Sequence, residues 1–176
     1  MATKIAYFLI FFFTFILAIS PVLAVKPNGS SAYNGLEKGN LSVMHLYMYE
    51  KDASWNVVDG GAWGKMTFNK NKNSLVFNGY GLYANREYSV IHYMGNNPNL
   101  SRDKLYMIAI GTSTSSGEVN IKGSWDVWKG KFWLVPASDL NGMAGDKVLD
   151  NLTNWNPSDY LFEYNDLSSI GLVSFL

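Results

Sequence analysis

Residues 104–123, KLYMIAIGTSTSSGEVNIKG, contain both kinds of β-strand that this chain repeats. Residues 107–110 are apolar throughout, which is typical of a central strand buried on both faces. Val119 and Ile121 instead alternate with polar residues, which predicts a strand with one buried face and one face in water. The Gly- and Ser-rich segment between these runs is typical of a turn. The stretch therefore predicts antiparallel β-structure.

Similar short runs recur along the chain, each bounded by Gly, Asn, Asp or Pro. They predict strands at residues 41–50, 55–58, 63–68, 74–78, 88–94, 104–111, 118–123, 131–136 and 160–164. Beyond residue 24 no long helical spacing of apolar residues occurs, and only residues 156–160, with Pro157 after an Asn cap, predict a short helical turn. We therefore expect an all-β fold, an antiparallel two-sheet sandwich of the Ig-like or Greek-key kind with about eight or nine strands.

A polar corner at residues 85–87 separates Leu82 from Tyr88. This arrangement resembles the tyrosine corner of Greek-key sandwiches, in which a Tyr that enters a strand hydrogen-bonds to the chain a few residues upstream. The alternative is an ordinary strand tyrosine.

The N-terminus is typical of a secretory signal peptide at residues 1–24. Lys4 precedes an unbroken apolar run at residues 5–19, and Pro21 and Ala24 follow it. Cleavage after Ala24 would give a secreted, extracellular or cell-surface protein without a transmembrane segment. The alternative is a membrane tether made by uncleaved residues 5–25.

The remainder of the chain has the length of one domain. Residues 25–39 are rich in Gly, Ser and Asn and predict a flexible lead-in, so we expect a single β-sandwich domain at residues 40–176. The chain has no Cys, which excludes disulfides and means that an apolar core must stabilise the fold. The formal net charge is +0 and no cationic run occurs, which disfavours nucleic acid as a partner.

Four sequons permit N-glycosylation in an exported chain. They begin at Asn28, Asn40, Asn99 and Asn151.

The sequence offers few residues for metal or cofactor chemistry. His45 and His92 are the only histidines, and both lie in predicted strands, which argues against a transition-metal site. A loop with oxygen ligands for calcium is the alternative, although a solvated polar loop fits its spacing better. Its residues are Asp139, Asn141, Asp146 and Asp150. We therefore predict no metal and no cofactor.

Catalytic residues are equally difficult to assign from the sequence. No Gly-x-Ser-x-Gly elbow appears. A glycosidase needs two carboxylates that face each other across a cleft. The sequence does not indicate which two would do so among the candidates. These are Asp59, Asp126, Asp139 and Glu163. We therefore predict no catalytic residue.

The six tryptophans are the most unusual feature of the composition. Trp63 and Trp133 are expected to fill the space between the sheets. Trp125 and Trp128, which flank Asp126 in a loop-like segment, are the candidates for a flat surface that binds sugar rings.

Five motifs extend over most of the mature chain. They are WNVVDGGAWGKMTF (55–68), VFNGYGL (76–82), YSVIHY (88–93), KFWLV (131–135) and WNPSDYLFEY (155–164). Together they resemble a group of uncharacterised secreted proteins of methanogenic archaea and some bacteria that share GGAWGK, FNGxGL, YxLIYY and WNPxxYLFEY. The resemblance implies a secreted β-sandwich and carries no activity or site residue. His92 stands where the pattern has Tyr, which weighs against a catalytic role for it.

These observations favour a secreted or cell-surface, non-enzymatic β-sandwich with an envelope, adhesion or binding role, whose partners would be glycans or envelope components. One alternative is a carbohydrate-binding module that uses exposed Trp and Tyr side chains. A second alternative is a secreted hydrolase.

Overall fold

A computed structural model describes residues 42–93, 104–127 and 130–163. Within these ranges no helix is both long enough and apolar enough to cross a membrane. Several predictions lie outside the described residues. These are the signal peptide at residues 1–24, the tether at residues 5–25, the lead-in at residues 25–39, Trp128, and the sequon residues Asn28, Asn40 and Asn99.

The described chain forms ten antiparallel strands in two five-stranded sheets, which confirms the all-β two-sheet sandwich. The strands are β1 Val43–Tyr49, β2 Trp63–Asn69, β3 Ser74–Tyr80, β4 Glu87–Tyr93, β5 Lys104–Thr112, β6 Val119–Ser124, β7 Lys131–Pro136, β8 Leu140–Asn141, β9 Asp150–Leu152 and β10 Phe162–Glu163. The first sheet has the order β10-β1-β2-β3-β6 and the second the order β7-β4-β5-β9-β8. Because β10 returns to lie beside β1, the first sheet contains the spatial order of a Greek key.

Most predicted strands form, and the short turn is confirmed as a 3₁₀ turn at Pro157–Asp159. Its expected Asn cap is wrong, because the Asn156 side chain makes no capping bond to the backbone. The strand predicted at residues 55–58 is also wrong, since these residues belong to the loop between β1 and β2 and only Val57 forms an isolated bridge. Strands β8 and β9 were not predicted.

Two large apolar cores hold the sheets, and a smaller cluster at Tyr49 and Trp63 lies on the outer face of the first sheet. Side chains such as Met66, Phe77 and Leu134 fill the space between the sheets. The second core lies on the other face of β4, β5 and β7, where Ile91 and Trp133 contact side chains from the C-terminal part of the chain. The centre of the second sheet is therefore buried on both faces, as the apolar run in β5 predicts for residues 107–109, whereas Ile110 at the end of that run is 40% exposed.

The expectation that Trp63 and Trp133 fill the space between the sheets is wrong, because neither side chain belongs to the core between them.

The tyrosine corner is confirmed. Tyr88 is fully buried in β4, and its hydroxyl accepts a hydrogen bond from the Tyr83 N–H at 3.2 Å. Burial raises the pKa of the Tyr88 phenol. The bond fixes the connection that carries the chain from β3 in the first sheet to β4 in the second.

Replacing Tyr88 with Phe tests this corner. The change keeps the ring and leaves the Tyr83 N–H without its acceptor, so the free energy of unfolding should fall by about 1 kcal/mol or more. Urea unfolding followed by fluorescence measures the loss. Tyr83→Phe is the matched control, because that side chain is 61% exposed and should leave stability unchanged. Equal stability of the two variants would show that the bond contributes nothing.

Candidate functional site

The predicted sugar platform at residues 125–128 is wrong at Trp125. Its side chain is only 2% exposed, and its ring lies 5.5 Å from that of His92 and 5.3 Å from that of Tyr106. Asp126 is exposed and pairs with Lys147 at 2.7 Å, a bond that lowers the pKa of the Asp126 carboxyl. The structure therefore places Trp125 in the core and Asp126 in a surface ion pair.

The burial of Trp125 follows from the strand that precedes it. Val119 and Ile121 in β6 point into the core, and the two-residue period continues through Gly123 to Trp125. Gly123 leaves room for the facing strand, since a Cβ there would lie 2.8 Å from the Cβ of Ala109. Extending the alternation by one step would have predicted the buried position.

Trp55 instead lies at the surface, in the loop between β1 and β2. The Asp52 carboxylate accepts hydrogen bonds from the backbone N–H groups of Ser54 at 2.8 Å and Asn56 at 2.9 Å. The bond from Asn56 is the main reason that the pKa of Asp52 is lowered. Trp55 has a φ of 64°, a costly conformation for a bulky residue that persists only where the surroundings impose it. The Trp55 side chain is 54% exposed.

Trp155 is the second surface tryptophan, and its backbone is held on both sides. The Tyr160 hydroxyl lies 2.8 Å from the Asn154 carbonyl oxygen and accepts a hydrogen bond from the Asn156 N–H at 3.3 Å. The Trp155 ring meets the ring of Tyr160 edge to face at 5.6 Å, and its side chain remains 50% exposed.

Phe162 and Trp133 form a buried floor under these two tryptophans. The Phe162 ring lies 5.0 Å from that of Trp55 and 6.2 Å from that of Trp155. Trp133 lies 5.1 Å from Phe162 and 6.1 Å from Trp155. We call the four residues Trp55, Trp155, Phe162 and Trp133 the aromatic surface. Two half-exposed indoles thus flank one buried ring, an arrangement suited to a ligand with flat apolar faces.

Glu163 holds the floor in place from below. Its Oε1 accepts the Phe132 N–H at 2.6 Å and its Oε2 accepts the Trp133 Nε1–H at 3.1 Å. The carboxyl is buried, and burial outweighs these bonds and nearby Lys131, so that the pKa of Glu163 rises to about 7. Glu163 therefore serves as an acceptor inside the fold and cannot reach a ligand at the surface.

A separate cleft of about 220 Å³ lies beside the tyrosine corner. It is lined by Glu50, Ala62, Gly81, Leu82, Tyr83, Tyr88, Ser158, Asp159, Tyr160 and Leu161. Both carboxylates in it have partners: Glu50 accepts the Ala62 N–H at 2.8 Å, and Asp159 forms an ion pair with Arg86 at 2.6 Å.

The cleft contains none of the carboxylates that the sequence suggested for a hydrolase. Asp59 does not line it, and Asp126 pairs with Lys147. Asp139 and Glu163 are buried, 5% exposed each. The structure therefore does not bring the four suggested carboxylates together in this cleft.

Three of the four side chains suggested for calcium accept hydrogen bonds within the fold. Asp139 Oδ2 lies 2.9 Å from the Tyr160 hydroxyl, and Asp150 Oδ2 accepts the Met107 N–H at 2.9 Å. Burial raises the pKa of Asp150. Asp146 accepts the N–H two residues further along at 2.9 Å. The described residues contain no group of three or more His, Cys, Asp or Glu that could hold a metal ion.

Three further predicted residues have clear positions. His45 lies 2.9 Å from the Thr67 hydroxyl through Nδ1. His92 is buried and stacks on Phe132 at 4.8 Å. Asn151 lies in β9, half-buried, where its Oδ1 accepts a hydrogen bond from Lys104.

Comparisons of the chain with protein-family models, with curated proteins and with solved structures found no match.

Replacing Glu163 with Gln tests the buried carboxyl. Its pKa of about 7 lies above the ordinary value of 4.5, so between these pH values the folded chain keeps a proton that the unfolded chain loses. The carboxyl's contribution to stability is therefore complete below pH 4.5 and is lost as the pH rises through 7, by up to about 1.4 kcal/mol per pH unit.

Urea unfolding from pH 5 to pH 8 should show this loss in the wild-type chain and not in Glu163→Gln. The variant loses one hydrogen bond at every pH. The quantity to compare is therefore how the difference in free energy of unfolding between the two chains changes with pH. Glu118→Gln, at an exposed turn, is the control and should track the wild type. A constant difference for Glu163→Gln would contradict the raised pKa.

Proposed function

We propose that the protein is a secreted or cell-surface, non-enzymatic β-sandwich that binds glycans or other envelope components through the aromatic surface. One observation carries this proposal: Trp55 and Trp155 are 54% and 50% exposed, and hydrogen bonds hold the backbone around each of them. Because the backbone around both indoles is already held, binding would not have to order these two loops.

Sugar rings fit such a surface because their C–H-bearing faces pack on aromatic rings while their hydroxyls need polar partners. Polar side chains adjoin both tryptophans. Lys51 lies over the Trp55 ring, with Nζ 5.8 Å from its centroid, and Asn154 and Asn156 flank Trp155. We therefore propose Trp55 and Trp155, in place of residues 125–128, as the carbohydrate-binding residues.

The secreted hydrolase is the second candidate, and the cleft is the feature that favours it. Glu50 and Asp159 both line the cleft. However, Asp159 is ion-paired with Arg86 and Glu50 accepts a backbone N–H, whereas a glycosidase needs one protonated and one ionised carboxyl positioned at the bond to be cleaved. The cleft therefore supports catalysis less well than the aromatic surface supports binding.

We also propose that the sandwich is Ig-like and that the chain belongs to the group of secreted proteins that its motifs resemble. Two observations support the first point. Strand β3 pairs with β6 in one sheet while β4 pairs with β7 in the other, and the tyrosine corner links β3 to β4. Membership of the group of secreted proteins is supported by the motif resemblance alone.

Substitution of the two tryptophans tests the binding role. Trp55→Ala and Trp155→Ala should each weaken binding of the neutral glycan that binds the wild type, by roughly 2 kcal/mol or about 30-fold. Quenching of tryptophan fluorescence during titration with hexamers of glucose, mannose, xylose and N-acetylglucosamine gives the affinities.

Tyr83→Ala is the matched control, because Tyr83 is an exposed aromatic residue that lines the cleft instead. Loss of binding in Tyr83→Ala alone would show that the glycan binds in the cleft instead. Release of shorter sugars from the hexamers, abolished in Glu50→Gln, would establish the hydrolase. Absence of binding to every glycan would reject the carbohydrate role.

Export is tested on the expressed full-length chain. We expect a mature N-terminus at Val25 and recovery of the protein in the medium or the envelope fraction. N-terminal sequencing combined with cell fractionation checks both. An intact residue 1 in the membrane fraction would instead support the tether at residues 5–25, and an intact residue 1 in the cytosol would reject export.

A further inference from the structure

The outward-facing side of the first sheet is a second surface with a distinct composition. Strand pairing places its residues in rows across β1, β2, β3 and β6. The central rows are Tyr47–Lys65–Asn78–Asn120 and His45–Thr67–Val76–Lys122, and the outer rows are Tyr49–Trp63–Tyr80 and Val43–Asn69–Ser74–Ser124. None of these residues is Asp or Glu. We call this side the lysine face.

The two lysines of this face have no acidic partner among the residues that the structure describes. Within the described chain neither Lys65 nor Lys122 forms an ion pair, and Lys65 lies over the Tyr47 ring, with Nζ 5.7 Å from the centroid. The two lysines are separated by one strand, β3, and lie in neighbouring rows, which places their Cα atoms roughly 12 Å apart. The rows of this face therefore carry two lysines and no acidic residue, whereas the chain as a whole has a formal net charge of +0.

The same face offers groups that bind hydroxyls. The Asn120 Nδ2 donates to the Asn78 Oδ1 at 2.7 Å, which leaves the two N–H groups of Asn78, the second N–H of Asn120 and the Asn120 Oδ1 for a ligand. An aromatic row closes one end, where Trp63 stacks on Tyr80 at 4.7 Å and on Tyr47 at 6.5 Å. Tyr47 and Tyr80 are partly exposed there.

The two sheets differ in how their outer faces are used. The outer face of the second sheet is filled by apolar side chains of the C-terminal part of the chain. In the first sheet, by contrast, Asn120, Lys122 and Ser124 of β6 are exposed, and the outward residues of β3 are half-exposed. The alternation of β3 and β6 therefore keeps a polar face in water.

From this placement we propose that the lysine face binds an anionic glycan, a polysaccharide whose sugars carry carboxylate groups. Lys65 and Lys122 attract the carboxylates, and the Asn78–Asn120 amide pair binds hydroxyls. The partly exposed rings of Tyr47 and Tyr80, held in place by the buried Trp63, pack against a sugar ring. The proposal does not depend on the aromatic surface of Trp55 and Trp155, which would take neutral glycans.

A glycan fits the lysine face better than nucleic acid. Nucleic-acid binding uses a continuous basic stripe that neutralises many phosphates. Here two separated lysines lie among amides, hydroxyls and phenol rings. This mixture fits a polymer that has many hydroxyls and fewer charges than nucleic acid.

Polygalacturonate and its fully methyl-esterified form are the probes, because they share one backbone and differ in charge. The mature chain should bind polygalacturonate in calorimetry at low salt and bind the ester at least tenfold more weakly. Binding should also weaken as salt is raised from about 0.05 M to 0.3 M, since salt screens exposed charges. Lys65→Gln and Lys122→Gln should each weaken binding roughly three- to fivefold.

Lys104→Gln is the matched control, with the same loss of charge in β5 of the second sheet, and it should bind like the wild type. Trp55→Ala should also retain polygalacturonate binding, which separates this proposal from the aromatic surface. Equal binding of poly-L-glutamate would overturn the glycan assignment in favour of a general polyanion site. Failure to bind polygalacturonate, or equal binding of the ester, would overturn the proposal. Far-ultraviolet circular dichroism checks that each variant is folded.

Discussion

Burial of the second sheet on both faces is the constraint on which the rest of this structure depends. One face of β4, β5 and β7 packs against the first sheet, so the other face must be covered by the chain that follows β7. That segment brings polar groups with it, and the buried ones described above find partners. Asp139 meets the Tyr160 hydroxyl, and Asp150 accepts the Met107 N–H. Buried polar groups without partners would cost more than the apolar contacts contribute.

The same covering segment creates the aromatic surface. Tyr160 is buried in the second core, and its hydroxyl fixes the backbone on either side of Trp155. The chain then crosses between the sheets, because Leu161 pairs with Leu134 of β7 and Phe162 pairs with Tyr49 of β1. This crossing places the Phe162 ring beside Trp55. The surface therefore combines two segments that are distant in sequence and that meet only where the sheets are joined.

The two sheets consequently present different chemistry to the outside. Covering the second sheet places aromatic rings at the edge where β7 and β10 meet, while the first sheet keeps its alternating polar residues exposed. One protein thus offers an apolar, aromatic surface at Trp55 and Trp155 and a positively charged, amide-bearing face at Lys65 and Lys122. Both proposals follow from this single asymmetry between the sheets.

The sequence by itself determined the fold class and most strands, because period-two alternation and uninterrupted apolar runs report directly on one or two buried faces. It also located the tyrosine corner, which is set by a contact five residues apart. Tertiary structure decided the rest. Strands β8 and β9 have two and three residues, too few for a period to appear. Residues 55–58 are apolar enough for a strand, but the Asp52 carboxylate bonds their backbone into a loop. Trp125 lies one step beyond the alternation of β6, so its burial can be derived from the sequence. Trp55 and Trp155 follow no such period, and whether they are core residues or surface residues depends on which distant side chains cover them.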